Sequence, residues 1–196
     1  HAPVNINNNH VRVPLSIARI PVDSEFGIFE MGMSAAGELA ALTRLVRPNV
    51  ALVTWIAQAH SAFFADEQAI ADAKGEIFAG LEPGGTALIP YDSPHRERLI
   101  DHAHPHASVI LTFGRQRDAD YHLIEEVRAE GGPGRVVTAG LPGDRTLTFT
   151  IGMAGAHWVN NAPGTIAAAA VLEADLGLAG LALGAMTGLA GRGDRR

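Results

Sequence analysis

Residues 26–33 read Phe26-Gly-Ile-Phe-Glu-Met-Gly-Met33. This short and almost continuously apolar run is typical of a strand that is buried on both faces of a parallel sheet. A helix is predicted directly after it, over residues 35–46, where leucines recur at helical spacing. Ser34 is the expected N-cap of this helix, and Pro48 ends it. The stretch therefore predicts the first β–α step of an α/β domain.

The same alternation continues along the chain. Because strand and helix alternate at this spacing, the sequence predicts an α/β fold with a mostly parallel sheet flanked by helices. Short β-like runs and turns near residues 135–151 indicate a small antiparallel element. Residues 165–189 are rich in Ala and Gly and predict two buried helices, since the charge-free part is too short to span a bilayer. The further predicted elements are strands at 50–56, 86–90 and 108–113 and helices at 66–81 and 94–103.

The composition excludes several classes of protein. The chain has 196 residues, a formal net charge of −6, 47% hydrophobic and 18% charged residues, and no cysteine. An acidic, apolar chain of this kind favours a globular core over disorder and over a nucleic-acid-binding arm. Thiolate zinc sites, disulfide scaffolds and thiol nucleophiles are excluded. Residues 1–9 do not resemble a signal peptide, so the expected location is the cytoplasm, without membrane insertion.

Lys74 is the only lysine among 15 basic residues. On a helical wheel it shares an arc with Ile70 and Phe78, so it is expected on the apolar face of its helix. A lysine at such a position either extends its amine to the rim of the core or pairs with a carboxylate. Alternatively, burial lowers its pKa, and the neutral amine can then react or be modified.

Two further polar side chains lie where α/β proteins build their sites. Glu30 is inside the apolar run 26–33, and His60 follows the predicted strand 50–56. Ligands of open α/β sheets bind at the carboxyl ends of the strands. A carboxylate, an imidazole and a buried lysine on consecutive β–α units predict a divalent-metal site, at which the lysine still lacks a negative charge. Taken alone, His60 is more typical of a structural histidine.

Other motifs give weaker hypotheses. Gly32-Met-Ser34-Ala-Ala36 resembles a degraded nucleophile elbow, which would make Ser34 the nucleophile of a serine hydrolase. The histidines between residues 95 and 106 are interpreted as a surface loop rather than a zinc cluster. No G-x-x-x-x-G-K-[ST] phosphate loop occurs in the sequence. A non-catalytic α/β binding module also remains open.

Several segments together resemble the central, ATP-binding domain of the Mur ligases. The resemblance extends through nearly the whole chain, and the Ala-Lys-x-Glu-Ile-Phe element is quite specific. Residues 8–15 resemble the segment that follows the phosphate loop of the family. Gly155-Ala-His157-Trp-Val-Asn-Asn161-Ala resembles its G-R-H-N-x-x-N-A motif. The other matching segments are Glu25 to Glu38, Arg47 to Val53, Ala59-His60, Ala71 to Phe78 and Gly80 to Gly85.

The resemblance implies an ATP- and magnesium-dependent amide ligase of peptidoglycan synthesis. Such an enzyme adds D-alanyl-D-alanine to a UDP-N-acetylmuramoyl-tripeptide through an acyl phosphate. It also implies that Lys74 is a carbamylated catalytic residue and a metal ligand together with Glu30 and His60. Asn161 would contact the adenine of the cofactor, with His157 nearby. Another Mur-type ligase, or an enzyme similar to folylpolyglutamate synthase, is the alternative within the same superfamily.

The chain also departs from the family pattern. Relative to the family, the phosphate loop would precede His1, and we expect the N-terminal UDP-binding and C-terminal domains to be absent from residues 1–196. We therefore expect residues 1–196 to form a central domain that is incomplete at its N-terminus and inactive alone. An uncovered sheet edge beside residues 26–33 would favour oligomers. Pro163 is expected to shift the start of the helix that carries Asn161.

Overall fold

The structure is a computed structural model and describes residues 10–56 and 64–186. It contains one six-stranded mixed sheet in the order β1-β2-β3-β4-β5-β6, in which β3 and β4 are parallel and β4, β5 and β6 are antiparallel. The predicted α/β class with a mostly parallel sheet is confirmed. The strands are β1 (Val50–Leu52), β2 (Thr86–Pro90), β3 (Val109–Gly114), β4 (Tyr121–Arg128), β5 (Arg135–Leu141) and β6 (Arg145–Ile151).

Six α-helices accompany the sheet, and no helix in the described ranges is long and apolar enough to cross a bilayer. A 3₁₀ segment, Glu76–Gly80, continues directly from α3. The chain divides into two compact units, residues 1–87 with 93–110 and residues 88–92 with 111–196. The helices are α1 (Arg12–Ala18), α2 (Glu38–Val46), α3 (Glu67–Gly75), α4 (Arg96–Ala103), α5 (Ala156–Val171) and α6 (Leu176–Ala185).

The prediction of a buried strand over residues 26–33 is wrong. This segment has no regular secondary structure and forms no part of the sheet, and only Met33 in it is buried. A strand requires a neighbour that pairs with its backbone, and none of the six described strands pairs with this run. Glu30 is itself exposed, and it consequently lies on an irregular segment rather than inside a strand. The predicted strand at 50–56 is likewise shorter, because β1 ends at Leu52.

The helix after this segment begins later than predicted. Its N-cap is Gly37, with φ of 87°, rather than Ser34. The exposed amides at its start are satisfied by a carboxylate from the 3₁₀ segment: Glu76 accepts hydrogen bonds from Gly37 N (2.7 Å) and Ala40 N (3.3 Å). Acidic groups stabilise a helix N-terminus by accepting from its unpaired N–H groups. Glu76 therefore joins α2 to the end of α3.

The first unit is held together by close packing between α2 and the 3₁₀ segment. Phe78 and Thr43 are fully buried there, and the Thr43 hydroxyl donates to the carbonyl of Ile77 at 2.6 Å. A side chain at Gly80 would collide with the Thr43 carbonyl and approach Arg44 N to 2.6 Å. The backbones can approach this closely only because position 80 carries no Cβ.

In the second unit, the antiparallel element predicted near 135–151 is confirmed as β5 and β6. Strand β4 was not predicted, and its pairing with β5 is interrupted by a register shift between Leu123 and Glu125. Pro163 does not shift the start of α5, since that helix begins at Ala156 and contains the proline. The expectation that both C-terminal helices are buried is wrong for α6, in which Leu178 and Leu181 are 65% and 71% exposed.

We predict that Gly80→Ala destabilises the protein by about 2 kcal/mol, because the added methyl group overpacks the contact with α2. Gly132→Ala is the matched control, since a Cβ there would meet nothing closer than 4.0 Å; we expect it to change stability by less than about 0.5 kcal/mol. Urea unfolding of both variants measures the difference. Equal midpoints for the two would contradict the close packing at Gly80.

Candidate functional site

Lys74 lies near the end of α3, one turn after the fully buried Ile70. Its side chain is half-buried, and its Nζ donates a hydrogen bond to the backbone carbonyl of Trp55 at 2.8 Å. Burial lowers the pKa of the Lys74 amine below its ordinary value. Within the described residues Lys74 forms no ion pair, and its hydrogen-bond acceptor is an uncharged carbonyl. Loss of the Lys74 charge would therefore break no ion pair among these residues.

The helix that carries Lys74 is fixed by a polar seam along its contact with α4. Arg98 Nη1 donates to both oxygens of Asp72 (2.8 and 3.0 Å), and Arg98 Nη2 donates to Gln68 (3.1 Å). His102 Nε2 lies 3.0 Å from Asp72, and the His102 ring fills the space at Gly75 where a side chain would stand. Asp66 caps the start of α3 by accepting from Ala69 N. These contacts set the rotation and position of α3, and with them the direction of Lys74.

Of the other two predicted metal ligands, the structure describes only Glu30. Glu30 is exposed in the irregular segment before α2, and His60 lies outside the described residues. No three His, Cys, Asp or Glu side chains in residues 10–56 and 64–186 are grouped closely enough to hold a metal ion. The predicted set of Glu30, His60 and Lys74 contains only two such side chains, so it stays a prediction.

The hydrolase hypothesis loses its structural basis. A nucleophile elbow needs a strand immediately before the serine, but Ser34 follows the irregular segment and is exposed. Its backbone N–H donates to Glu38 at 2.7 Å, which is a local contact at the start of α2.

The second unit contains the predicted adenine-contacting residues on the first turns of α5. His157 is exposed, and its ring centroid lies 5.0 Å from that of the half-buried Trp158. Asn161 follows one turn after His157, so the two side chains share a face of the helix. An amide beside aromatic rings can hydrogen-bond and stack a purine base.

Sequence reasoning missed a second set of polar residues, which follows β2 and β3. Asp92 comes two residues after β2, and Arg115 follows β3 directly. The Asp92 carboxylate accepts from Arg115 N at 2.6 Å. Glu30 was chosen because polar residues at the carboxyl ends of strands often form sites. When the same rule is applied to the correctly predicted strands β2 and β3, it identifies Asp92 and Arg115.

Comparison with known proteins gives one consistent result. The Mur ligase middle domain family matches residues 3–171. The UDP-N-acetylmuramoyl-tripeptide--D-alanyl-D-alanine ligase of Bacillus subtilis (strain 168) is 34% identical over 179 residues, which cover 89% of this chain and 37% of that protein. The protein of the same name from Treponema pallidum (strain Nichols) is 29% identical over 172 residues, covering 86% of this chain and 34% of that protein. The chain thus spans little more than a third of these relatives.

A solved structure shares the fold over almost the whole chain. A crystal structure of MurF from Acinetobacter baumannii matches with a TM-score of 0.88 and 25% identity, covering 97% of this chain and 41% of that one.

We predict that the contribution of Asp72 to stability depends on pH. Burial raises the pKa of its carboxyl, but the hydrogen bonds from Arg98 and His102 outweigh that effect and leave the pKa below its usual value. Since the folded state then binds fewer protons than the unfolded state, this stabilisation is present above the unfolded pKa of 3.8 and is lost as the pH falls through the lower folded value.

The measurement is the difference in free energy of unfolding between the parent and Asp72→Asn. We expect a difference that is largest near neutral pH and that shrinks below about pH 4. Asp101→Asn, on the exposed side of α4, is the control and should have little effect near neutral pH. A pH-independent difference for Asp72→Asn would show that its ionisation is not coupled to folding.

Proposed function

The chain belongs to the Mur ligase family, whose middle domain it matches over residues 3–171, and from that premise we propose that it forms the nucleotide- and metal-binding part of an ATP-dependent ligase. The proposed reaction joins D-alanyl-D-alanine to a UDP-N-acetylmuramoyl-tripeptide through an acyl phosphate, in the cytoplasm. Both relatives described above carry the name of this ligase. Their names favour this substrate pair over those of other muropeptide ligases and of folate-polyglutamating enzymes.

The observation that carries the proposal is the state of Lys74. Its amine is half-buried, its pKa is lowered by burial, and its hydrogen bond ends on the Trp55 carbonyl. Only a neutral amine can attack carbon dioxide and release a proton to form a carbamate. Because the amine has no carboxylate partner among the described residues, such a reaction converts it into an anion without breaking an ion pair. This chemistry suits the carbamylated lysine that the family resemblance implies.

Some residues of this chain would bind Mg²⁺ and the adenine base, and others keep α3 and the Lys74 side chain in position. As a carbamate, Lys74 would hold Mg²⁺ together with Glu30 and His60, and Asn161 and His157 would hold the adenine base. When bound, ATP would supply the phosphoryl group that activates the tripeptide carboxylate, and Mg²⁺ would neutralise the negative charge of the phosphates. The polar seam formed by Asp72 and Arg98 keeps α3 in place, and the Trp55 carbonyl restrains the Lys74 side chain.

We predict that the protein incubated with ¹³C-bicarbonate at mildly alkaline pH gives a carbamate carbonyl signal from Lys74 in a ¹³C NMR spectrum. The sequence contains a single lysine, so the terminal amine is the only other aliphatic amine. Lys74→Arg keeps the positive charge but removes this amine, and should abolish the Lys74 signal. The signal of the terminal amine persists as an internal control. Identical spectra for the parent and Lys74→Arg would contradict the proposal for Lys74.

We also predict that the 196 residues alone release no phosphate from ATP when both amide-forming substrates are supplied. The sequence contains neither a glycine-rich phosphate loop nor a lysine besides Lys74, so the β- and γ-phosphates lack the usual cradle. A colorimetric phosphate assay with Lys74→Ala as the background measures this. Release above that background would show that other residues of this chain hold the phosphates.

A further inference from the structure

The loop that follows β3 is fixed at its first residue. The Asp92 carboxylate accepts hydrogen bonds from Arg115 N at 2.6 Å and from Gln116 N at 3.3 Å. A side chain at Gly114 would collide with this carboxylate, whose Cγ would lie 2.9 Å from the added Cβ. The glycine therefore allows the carboxylate to reach the two amides, and the backbone of Arg115 has one defined position.

The same loop is also fixed at its end. Asp120 Oδ2 accepts from both the amide and the hydroxyl of Thr112, each at 2.7 Å, and Asp120 N donates back to the Thr112 hydroxyl at 3.1 Å. Since residues 115–120 are anchored at both ends, the side chain of Arg115 starts from a rigid base.

From that base, the Arg115 guanidinium joins two elements. Its Nε donates to Asn160 Oδ1 on α5 at 2.7 Å, and its Nη2 donates to Glu126 Oε2 on β4 at 2.9 Å. Glu126 is also approached by Arg135 Nε at 3.5 Å and is only 22% exposed. A planar guanidinium can satisfy two acceptors in fixed directions, which an ammonium group cannot do equally well.

The start of α5 needs such a connection. The helix has no side-chain N-cap, and the residue before it is Gly155, with φ of 127°. An uncapped first turn leaves amides unpaired and tends to fray. Farther along the helix, Gly164 packs tightly against Phe113. Asn160, which accepts from Arg115, lies in the first turns of the helix, one residue from Asn161 and one turn from His157.

We propose that Arg115 is a positioning residue for nucleotide recognition. It holds the first turns of α5 so that Asn161 and His157 are oriented for the base before the nucleotide binds. This inference rests on the proposed function, because it takes Asn161 and His157 as the adenine contacts. A contact that is oriented in advance loses less conformational entropy on binding, so the tether raises affinity and sharpens discrimination between bases.

The test is a titration of the ¹⁵N-labelled chain with AMP and with GMP, followed through the amide shifts of α5. AMP is chosen because it needs no phosphate loop, and the method measures weak binding. For Arg115→Met we expect AMP affinity to fall about tenfold and the preference for AMP over GMP to shrink. Arg117→Met, an exposed arginine of the same loop, is the matched control and should bind as the parent does.

A second variant separates positioning from folding. Asn160→Ala removes the acceptor on α5 but leaves the bonds of Arg115 to Asp92 and Glu126, and should cause a similar loss. The double variant should lose no more than either single variant, since both act through one contact. If a variant were only less stable, its melting temperature would be lower but its ratio of AMP to GMP affinity would be unchanged.

The possible failures are distinguishable. If the parent binds AMP selectively and Arg115→Met does so equally well, the positioning role is wrong and the proposed function stands. If the parent shows no preference for AMP over GMP, the assignment of Asn161 and His157 is wrong, and the role of Arg115 falls with it.

Discussion

The close approach of the 3₁₀ segment to α2 is the contact on which the first unit depends. Gly80 allows the two backbones to meet, Thr43 donates across the junction, and the fully buried Phe78 fills the space beside it. Glu76, in the same short segment, supplies the acceptor for the N-terminus of α2. Residues 74–80 thus have two separate roles. Lys74 hydrogen-bonds to the Trp55 carbonyl, while Glu76 to Gly80 contact α2.

Much of the fold could be predicted because its signals are local. β2 has the predicted bounds and β3 differs only at its ends, because short apolar runs mark both strands clearly. The helices α3 and α4 also differ from the prediction only at their ends. The strand predicted at 26–33 was wrong because its apolar composition suits a sheet, whereas strand formation depends on a partner elsewhere in the chain. β4 was missed because the irregularity at Leu123 and Glu125 removes the two-residue period.

The candidate site was predictable only where residue type itself carries information. Lys74 is conspicuous as the single lysine of the chain. Its acceptor, the Trp55 carbonyl, is a backbone atom and leaves no trace in the sequence. The contacts of Arg115 were equally hidden, because Asp92 and Asn160 lie 23 and 45 residues away from it along the chain.

The anchoring of the Lys74 amine on the Trp55 carbonyl also makes this side chain a sensor of local opening. An acylating reagent cannot reach an amine that is half-buried and hydrogen-bonded as readily as it reaches one in water. Its rate of reaction at position 74 therefore rises when the Lys74 amine separates from the Trp55 carbonyl. The chain has one lysine in 196 residues, so mass spectrometry assigns every modified lysine to position 74. Local opening around Lys74 thus becomes measurable without any engineered label.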